Sequence, residues 1–181
     1  MKYTAIAQVS RQIVELLREE LTPDQLRKGD AVGLCSPDNK GDFSLGVYLY
    51  SVEQSEQARI SGRINQSLFT EKYPPLVLDL FYMITPYLKS DVKFLSEEEQ
   101  TLLGRVLQII NDHSVLVQEE DEIVTLELCN PTLEEREKIW NTPSQPYRVS
   151  AFVTARAVIV ESARSKEISR VREFVVDTDQ T

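Results

Sequence analysis

The chain has 181 residues, 41% of them apolar and 27% charged, with a formal net charge of −9. That length suits one domain with a genuine core, and no apolar run of about 18 residues is present to cross a membrane. An acidic balance of this size also excludes binding to nucleic acid through a basic surface, so neither a membrane nor a nucleic acid is expected as a partner.

The start of the sequence, Met1-Lys2-Tyr3-Thr4, passes straight into an amphipathic pattern and lacks the apolar core of a signal peptide. Ile6, Val9, Ile13, Leu16, Leu17 and Leu21 recur at spacings of three and four, which predicts a helix over 4–21. Thr4 is the expected N-cap, and Pro23 stands where it stops the helix. Residues 31–35 read as a short strand. The run Ser36-Pro37-Asp38-Asn39-Lys40-Gly41-Asp42 is dense in turn formers, and residues 43–52 alternate as a second strand. Together they predict a hairpin with a polar tip. From Glu53 to Lys72 the pattern vanishes, which predicts a long polar loop.

Pro74 and Pro75 then open the most informative segment. Proline cannot donate to a ladder, so the pair marks the start of a strand. Leu76, Leu78, Leu80 and Tyr82 take one face; Val77, Phe81 and Met83 take the other, interrupted by Asp79. A strand apolar on both faces is covered on both faces, so this is the expected centre of the fold.

Ser96-Glu97-Glu98-Glu99 reads as a capping box ahead of Leu102, Leu103, Val106, Ile109 and Ile110, a helix ending near Asn111-Asp112-His113. Residues 123–128 alternate as a short strand. Thr132-Leu133-Glu134-Glu135 is a second capping box, starting a helix that carries Leu133, Ile139 and Trp140. Pro143 and Pro146 punctuate its exit, and residues 147–160 form the last long strand. The reading is one α+β domain over 1–161, a mixed or antiparallel sheet with helices packed mainly on one side, followed by a C-terminal tail over 162–181. In that tail Ile168, Val171 and Val175 suit a helix, whereas Phe174-Val175-Val176 suits a strand and an interaction arm.

Candidate chemistry is sparse. No glycine-rich phosphate loop and no metal-binding or nucleophile-elbow motif occurs, so no cofactor, metal or catalytic residue is predicted. Cys35 and Cys129 are too far apart in sequence for a metal motif and read as buried reduced thiols. His113, the lone histidine, sits at a predicted helix end where a cation meets the helix dipole favourably. Basic residues Arg156, Arg164, Lys166, Arg170 and Arg172 are interleaved with Glu161, Glu167 and Glu173, which reads as a solvated mixed face. Asp79 inside an apolar strand requires a partner; Arg105 and Arg156 are the candidates. Trp140 reads as a core or interface anchor.

Four stretches read in order resemble one family: 74–85, Leu102-Leu103-Gly104 through His113, Glu135 to Trp140, and Tyr147-Arg148-Val149-Ser150-Ala151-Phe152. Their order and spacing resemble the cap, or tail-terminator, proteins of phage-tail-like contractile injection systems, and the likeness spans nearly the whole chain. Members often carry an Asn-rich, Arg-bearing stretch where this sequence has Gln54 to Arg59, and often Tyr where it has Phe152. Many are longer, with an added C-terminal domain. The resemblance implies a structural protein, typically a ring of six copies on the distal end of an inner tube, that stops tube growth and anchors the last sheath layer. It implies partnership with itself, tube and sheath, and assembly in the cytoplasm into a particle that is released or retained. The alternative is a monomeric adaptor that binds cargo or baseplate parts of such a particle. Asp79, Arg105, Trp140, Phe174, Val175 and Val176 are the candidate structural or interface residues.

Overall fold

A computed structural model describes residues 3–56, 64–65, 70–89, 91–118, 122–141 and 146–167. Helix α1 spans Ala5–Leu21 and buries Val9, Ile13, Leu17 and Leu21 as the spacing predicts, together with Ala5, Ser10 and Val14. Ile6 and Leu16 lie at the rim of that stripe. Thr4 stands at the N-cap position but has helical dihedrals and makes no side-chain cap. Its hydroxyl reaches Gln8 Oε1 at 3.4 Å instead.

Strand β1 covers Val32–Leu34 and β2 covers Leu45–Gln54. They do not form the predicted hairpin: they run parallel, with Val32 opposite Leu45 and Leu34 opposite Val47. The turn-rich segment between them does more than reverse the chain. It carries it back to the foot of β1, where Ser44 N–H donates to the Ala31 carbonyl at 2.8 Å. Phe43 seals this return, because its ring lies where a β-carbon on Gly33 would stand, 2.2 Å away. Only a glycine admits the ring there.

The predicted loop over 53–72 contains two short strands, β3 (Ile64–Asn65) and β4 (Thr70–Lys72). Strand β5 follows directly after the proline pair, over Leu76–Pro86, and is buried on both faces as its sequence requires. Helix α2 spans Val92–Asp112. It begins four residues before Ser96, so the Ser96–Glu99 box lies inside the helix. Leu95 N–H closes the first turn on the Asp91 carbonyl. A short strand that the sequence reading omitted, β6 (Val115–Val117), pairs antiparallel with β7 (Ile123–Leu128).

Helix α3 covers Leu133–Asn141 and carries the predicted box. Glu135 N–H donates to Thr132 Oγ1 at 3.3 Å, and Thr132 N–H returns to Glu135 Oε2 at 2.6 Å. Those bonds hold the Glu135 carboxyl below its ordinary pKa. Strand β8 spans Ala151–Val160, and β9 (Ser165–Glu167) follows; Tyr147 to Ser150 precede β8 outside the ladder.

The main sheet has the order β1-β2-β5-β8-β7-β6 and is antiparallel except at β1. Helices α1 and α2 pack on one face of it, over Leu78, Leu80, Tyr82 and Ile84. Within that core the Tyr82 and Ser10 hydroxyls share a hydrogen bond of 2.8 Å, and burial pushes the Tyr82 phenol up to about 12. On the opposite face α3 covers a smaller cluster of Met83, Tyr87, Trp140 and Phe152. Beyond Pro74 and Pro75 the β5–β8 ladder resumes as β4–β9: Tyr73 N–H donates to the Arg164 carbonyl, and Lys72 lies opposite Ser165. With β3 these strands form a three-stranded sheet, an arm extending the two central strands.

Candidate functional site

The sequence candidates fall into separate places. Asp79 is buried at a register shift between β5 and β8. Of its two expected partners it takes Arg156, whose Nη1 donates to Oδ2 at 3.1 Å. The other carboxylate oxygen accepts the Ala157 N–H at 3.2 Å. Ala157 holds a φ of 63°, so the carboxylate caps a bulge whose extra residue is in the left-handed region. Arg156 also donates to Glu127 Oε2 at 2.5 Å. That bond, ahead of Asp79, raises the guanidinium above its ordinary value. Arg105 instead binds Glu20 at 3.1 Å and Gln108 at 3.0 Å, and His113 lies 3.5 Å from the same Glu20. The two contacts with Glu20 join the end of α1 to α2 and the residue that follows it.

Trp140 is buried inside the protomer, edge-on to Tyr147 at 6.4 Å. Around it the outer layer is aromatic: Tyr50 meets Phe152 at 5.9 Å and Phe81 at 6.2 Å. Both cysteines border this layer and are unpaired. Burial raises the Cys35 thiol and, with Cys129 beside it, the Tyr50 phenol. A shallow depression of about 560 Å³ opens between α3 and β2, lined by Tyr50, Phe81, Cys129 and Ile139 and rimmed by Glu53, Glu135 and Lys138. No group of three metal-ligating side chains occurs among the described residues, and no described helix is long and apolar enough to cross a membrane. Phe174, Val175 and Val176 lie outside the described residues.

The two edges of the main sheet differ. At β1 the Arg18 guanidinium reaches over from α1 and donates twice to the Val32 carbonyl, at 2.7 and 3.0 Å. At β6 the bonds Leu126 N–H to Ser114 and Gln118 N–H to Glu122 fix the hydrogen-bonded pairs with β7. Val115 and Val117 therefore aim their backbone groups away from the sheet. Of these, the Val117 carbonyl accepts Gln12 Nε2 at 3.3 Å. Beside it runs a polar groove of about 480 Å³ lined by Gln8, Arg11, Gln12, Glu15, Val117 and Gln118. The outer face of the β6–β7 pair exposes Val115, Val117 and Ile123 at 51, 62 and 59%. An open edge with a β-branched face is a template for pairing. The sequence reading missed it, although Val115-Leu116-Val117 between His113 and the acidic run was the available signal.

The arrangement offers surfaces for assembly. In sequence the chain matches the family model of the Pvc16 N-terminal domain over residues 8–173. A comparison with curated proteins finds no match. In fold the chain resembles the sheath/tube terminator of the PVC extracellular contractile injection system in its extended state, with a TM-score of 0.68 at 15% identity. All of this chain and 64% of that one are covered. It likewise resembles the tube-terminating cap of the anti-feeding prophage, with a TM-score of 0.63 at 15% identity, covering 95% of this chain and 60% of the other. The chain thus spans less than two thirds of both matched proteins. Both are described as terminators or caps, and neither as an enzyme.

Proposed function

The chain belongs to the Pvc16 N-terminal domain family, and from that premise we propose that it is a structural cap that ends the inner tube of a contractile injection particle. The observation that carries the reading is the overlay of the entire chain on a sheath/tube terminator at a TM-score of 0.68. In this reading the protein acts as a closed ring of copies, six by the family resemblance. The ring blocks addition of further tube subunits and holds the terminal sheath layer, and the particle is assembled in the cytoplasm. A closed ring needs two different, mutually complementary patches on each copy. The arm of β3, β4 and β9 at one end, and the open β6 edge at the other, are distinct surfaces of that kind. Asp79 and Arg105 stiffen the wedge between them, and the role of Phe174-Val175-Val176 is contact with a neighbour. No catalytic step is assigned.

Electron microscopy of particles assembled without this chain tests the proposal. The expected result is tubes of widely scattered length, or sheath missing from the distal end. Particles of unchanged length with intact sheath refute it. So does a purified chain that remains monomeric at every concentration and ignores preformed tubes, which is the behaviour of an adaptor.

A further inference from the structure

Resting on the ring reading above, we infer that Arg27 and Lys28 of one copy dock into the aromatic, acid-rimmed depression between α3 and β2 of the neighbouring copy.

The depression suits a cation on an apolar stem. Its floor holds the Tyr50 and Phe81 rings, 6.2 Å apart and tilted by 51°, and Phe152 braces Tyr50 edge-on at 5.9 Å. Aromatic faces attract an ammonium or guanidinium, and a planar guanidinium also stacks on them. After burial and the neighbouring Cys129, the charges of Glu135 and Glu53 also raise the Tyr50 phenol, which places both carboxylates beside it. Glu135 Oε2 accepts the Thr132 N–H and hydroxyl at 2.6 and 2.9 Å, so the cap of α3 fixes where that charge stands. Glu53 accepts the neutral Ser51 hydroxyl at 3.2 Å. The cations close by are committed elsewhere: Lys138 to Glu134 at 2.6 Å, and Arg136 to the Pro131 carbonyl and the Phe152 ring. A hollow with an apolar floor and a negative rim remains.

Arg27 and Lys28 carry the complementary charge. They are an adjacent pair of exposed cations, flanked in sequence by Asp24 and Asp30. Neither bonds a carboxylate of its own copy, whereas Lys89, Arg105, Arg148 and Arg156 each do. Their turn is anchored in advance. Gln25 and Leu26 N–H groups both donate to the Leu21 carbonyl at 2.9 Å, and Leu26 is buried in the main core. A pre-ordered turn lowers the entropy lost on docking.

The two surfaces do not meet within one copy. The turn follows α1 on the helix-covered face of the main sheet, and the chain joins that sheet where Val32 lies opposite Leu45. The depression lies on the α3 face, beside Tyr50 to Glu53 at the far part of β2. Glu53 stands about 26 Å along β2 from Leu45, at roughly 3.3 Å per residue. Two unlike patches on opposite faces give a heterologous contact, the kind that repeats around a ring.

Charge reversal on each side tests this with the full chain. Arg27→Glu and Glu53→Arg are made separately, and assembly is followed by sedimentation velocity and by capping of preformed tubes. Both positions are exposed, so each variant should melt like the parent. Each alone sets like charges together at every contact, and should raise the concentration for half-assembly about tenfold or more. Mixed in equal amounts, the two variants should assemble again, since each then meets the opposite charge on the other. In isotope-mixed parent copies, a carbodiimide should join the Lys28 amine to the Glu53 or Glu135 carboxyl as an amide between labelled and unlabelled chains. Single variants that assemble like the parent, a mixture that fails to recover, or Lys28 cross-links confined to one chain overturn the inference. Loss of tube capping in Glu53→Arg, with Arg27→Glu unaffected, assigns the depression to a tube or sheath subunit and overturns the contact between copies. In all of these the parent still assembles and the cap reading stands; a parent that neither assembles nor binds tubes overturns both.

Discussion

The bulge at Asp79 gives the most quantitative handle on the fold. Among the described residues Ala157 is the non-glycine residue at positive φ, 63°. A left-handed conformation costs an alanine about 1–2 kcal/mol. What holds it there is the Asp79 carboxylate, which takes the Ala157 N–H at 3.2 Å and Arg156 at 3.1 Å. The Asp79 side chain is 11% exposed, whereas Arg156 is 35% exposed. The backbone bond to a buried charge therefore counts in full, about 1.5–3 kcal/mol. The ion pair is screened and adds at most about 1 kcal/mol, and Arg156 retains Glu127 when Asp79 is lost.

Asp79→Ala should cost about 2–4 kcal/mol, and Asp79→Asn about 1 kcal/mol, since the amide keeps a carbonyl acceptor for the Ala157 N–H. Ala157→Gly should move the other way. Relief of about 1–2 kcal/mol is offset by about 0.4–1 kcal/mol of added unfolded-state entropy, a net gain of roughly 0.5–1 kcal/mol. At about 2–4 °C per kcal/mol for a chain of this size, Asp79→Ala lowers Tm by about 4–16 °C and Ala157→Gly raises it by about 1–4 °C. Urea unfolding followed by far-ultraviolet circular dichroism measures all three. An Asp79→Ala variant within about 0.5 kcal/mol of the parent, or an Ala157→Gly variant less stable than it, breaks the argument that carboxylate and bulge form one unit.

Three further outcomes follow from the packing. Tyr82 has its phenol pushed up to about 12 by burial, so the unfolded chain ionises first, near 10. Its stabilisation is complete below pH 10 and is lost as pH rises to 12, by up to about 2–3 kcal/mol; urea midpoints at stepped alkaline pH should fall, and fall less in Tyr82→Phe. Gly33→Ala drives a methyl into the Phe43 ring and should destabilise by about 1–3 kcal/mol; an unchanged Tm removes the role given to that ring. Thr132→Ala breaks the cap of α3 at a cost of about 1 kcal/mol, and should shift Trp140 fluorescence toward the red before global unfolding.

What the sequence made legible was local and strongly patterned. β5 could be read because Leu78, Leu80 and Tyr82 alternate with Phe81 and Met83, and because two prolines mark its start. β7 and the α3 cap follow from alternation and from a Thr-x-x-Glu spacing, both complete within a few residues. The parallel pairing of β1 and β2 was hidden, because it rests on Phe43 docking on Gly33, a contact that carries no periodic signature. β3, β4 and β9 are two or three residues long, too short to alternate visibly, and exist because the central ladder continues past its prolines. The choice of Arg156 over Arg105 for Asp79 depended on a bulge, and register shifts cannot be seen in one strand alone. The β6 edge escaped notice because a three-residue apolar run between a helix and an acidic turn reads as connection.

On the proposed reading as a cap, the edges of the main sheet bear on how a terminator differs from the polymer it ends. A subunit that joins a growing structure must leave a fresh copy of the accepting surface exposed; a terminator must not. Here the β1 edge is closed within the protomer by Arg18, a cation donating to a carbonyl that a new strand would otherwise use. At β6 the Val117 carbonyl is likewise taken within the protomer, by Gln12 Nε2 at 3.3 Å, beside the exposed side chains of Val115, Val117 and Ile123. A heterologous pairing that returns on itself leaves no copy with an unfilled patch.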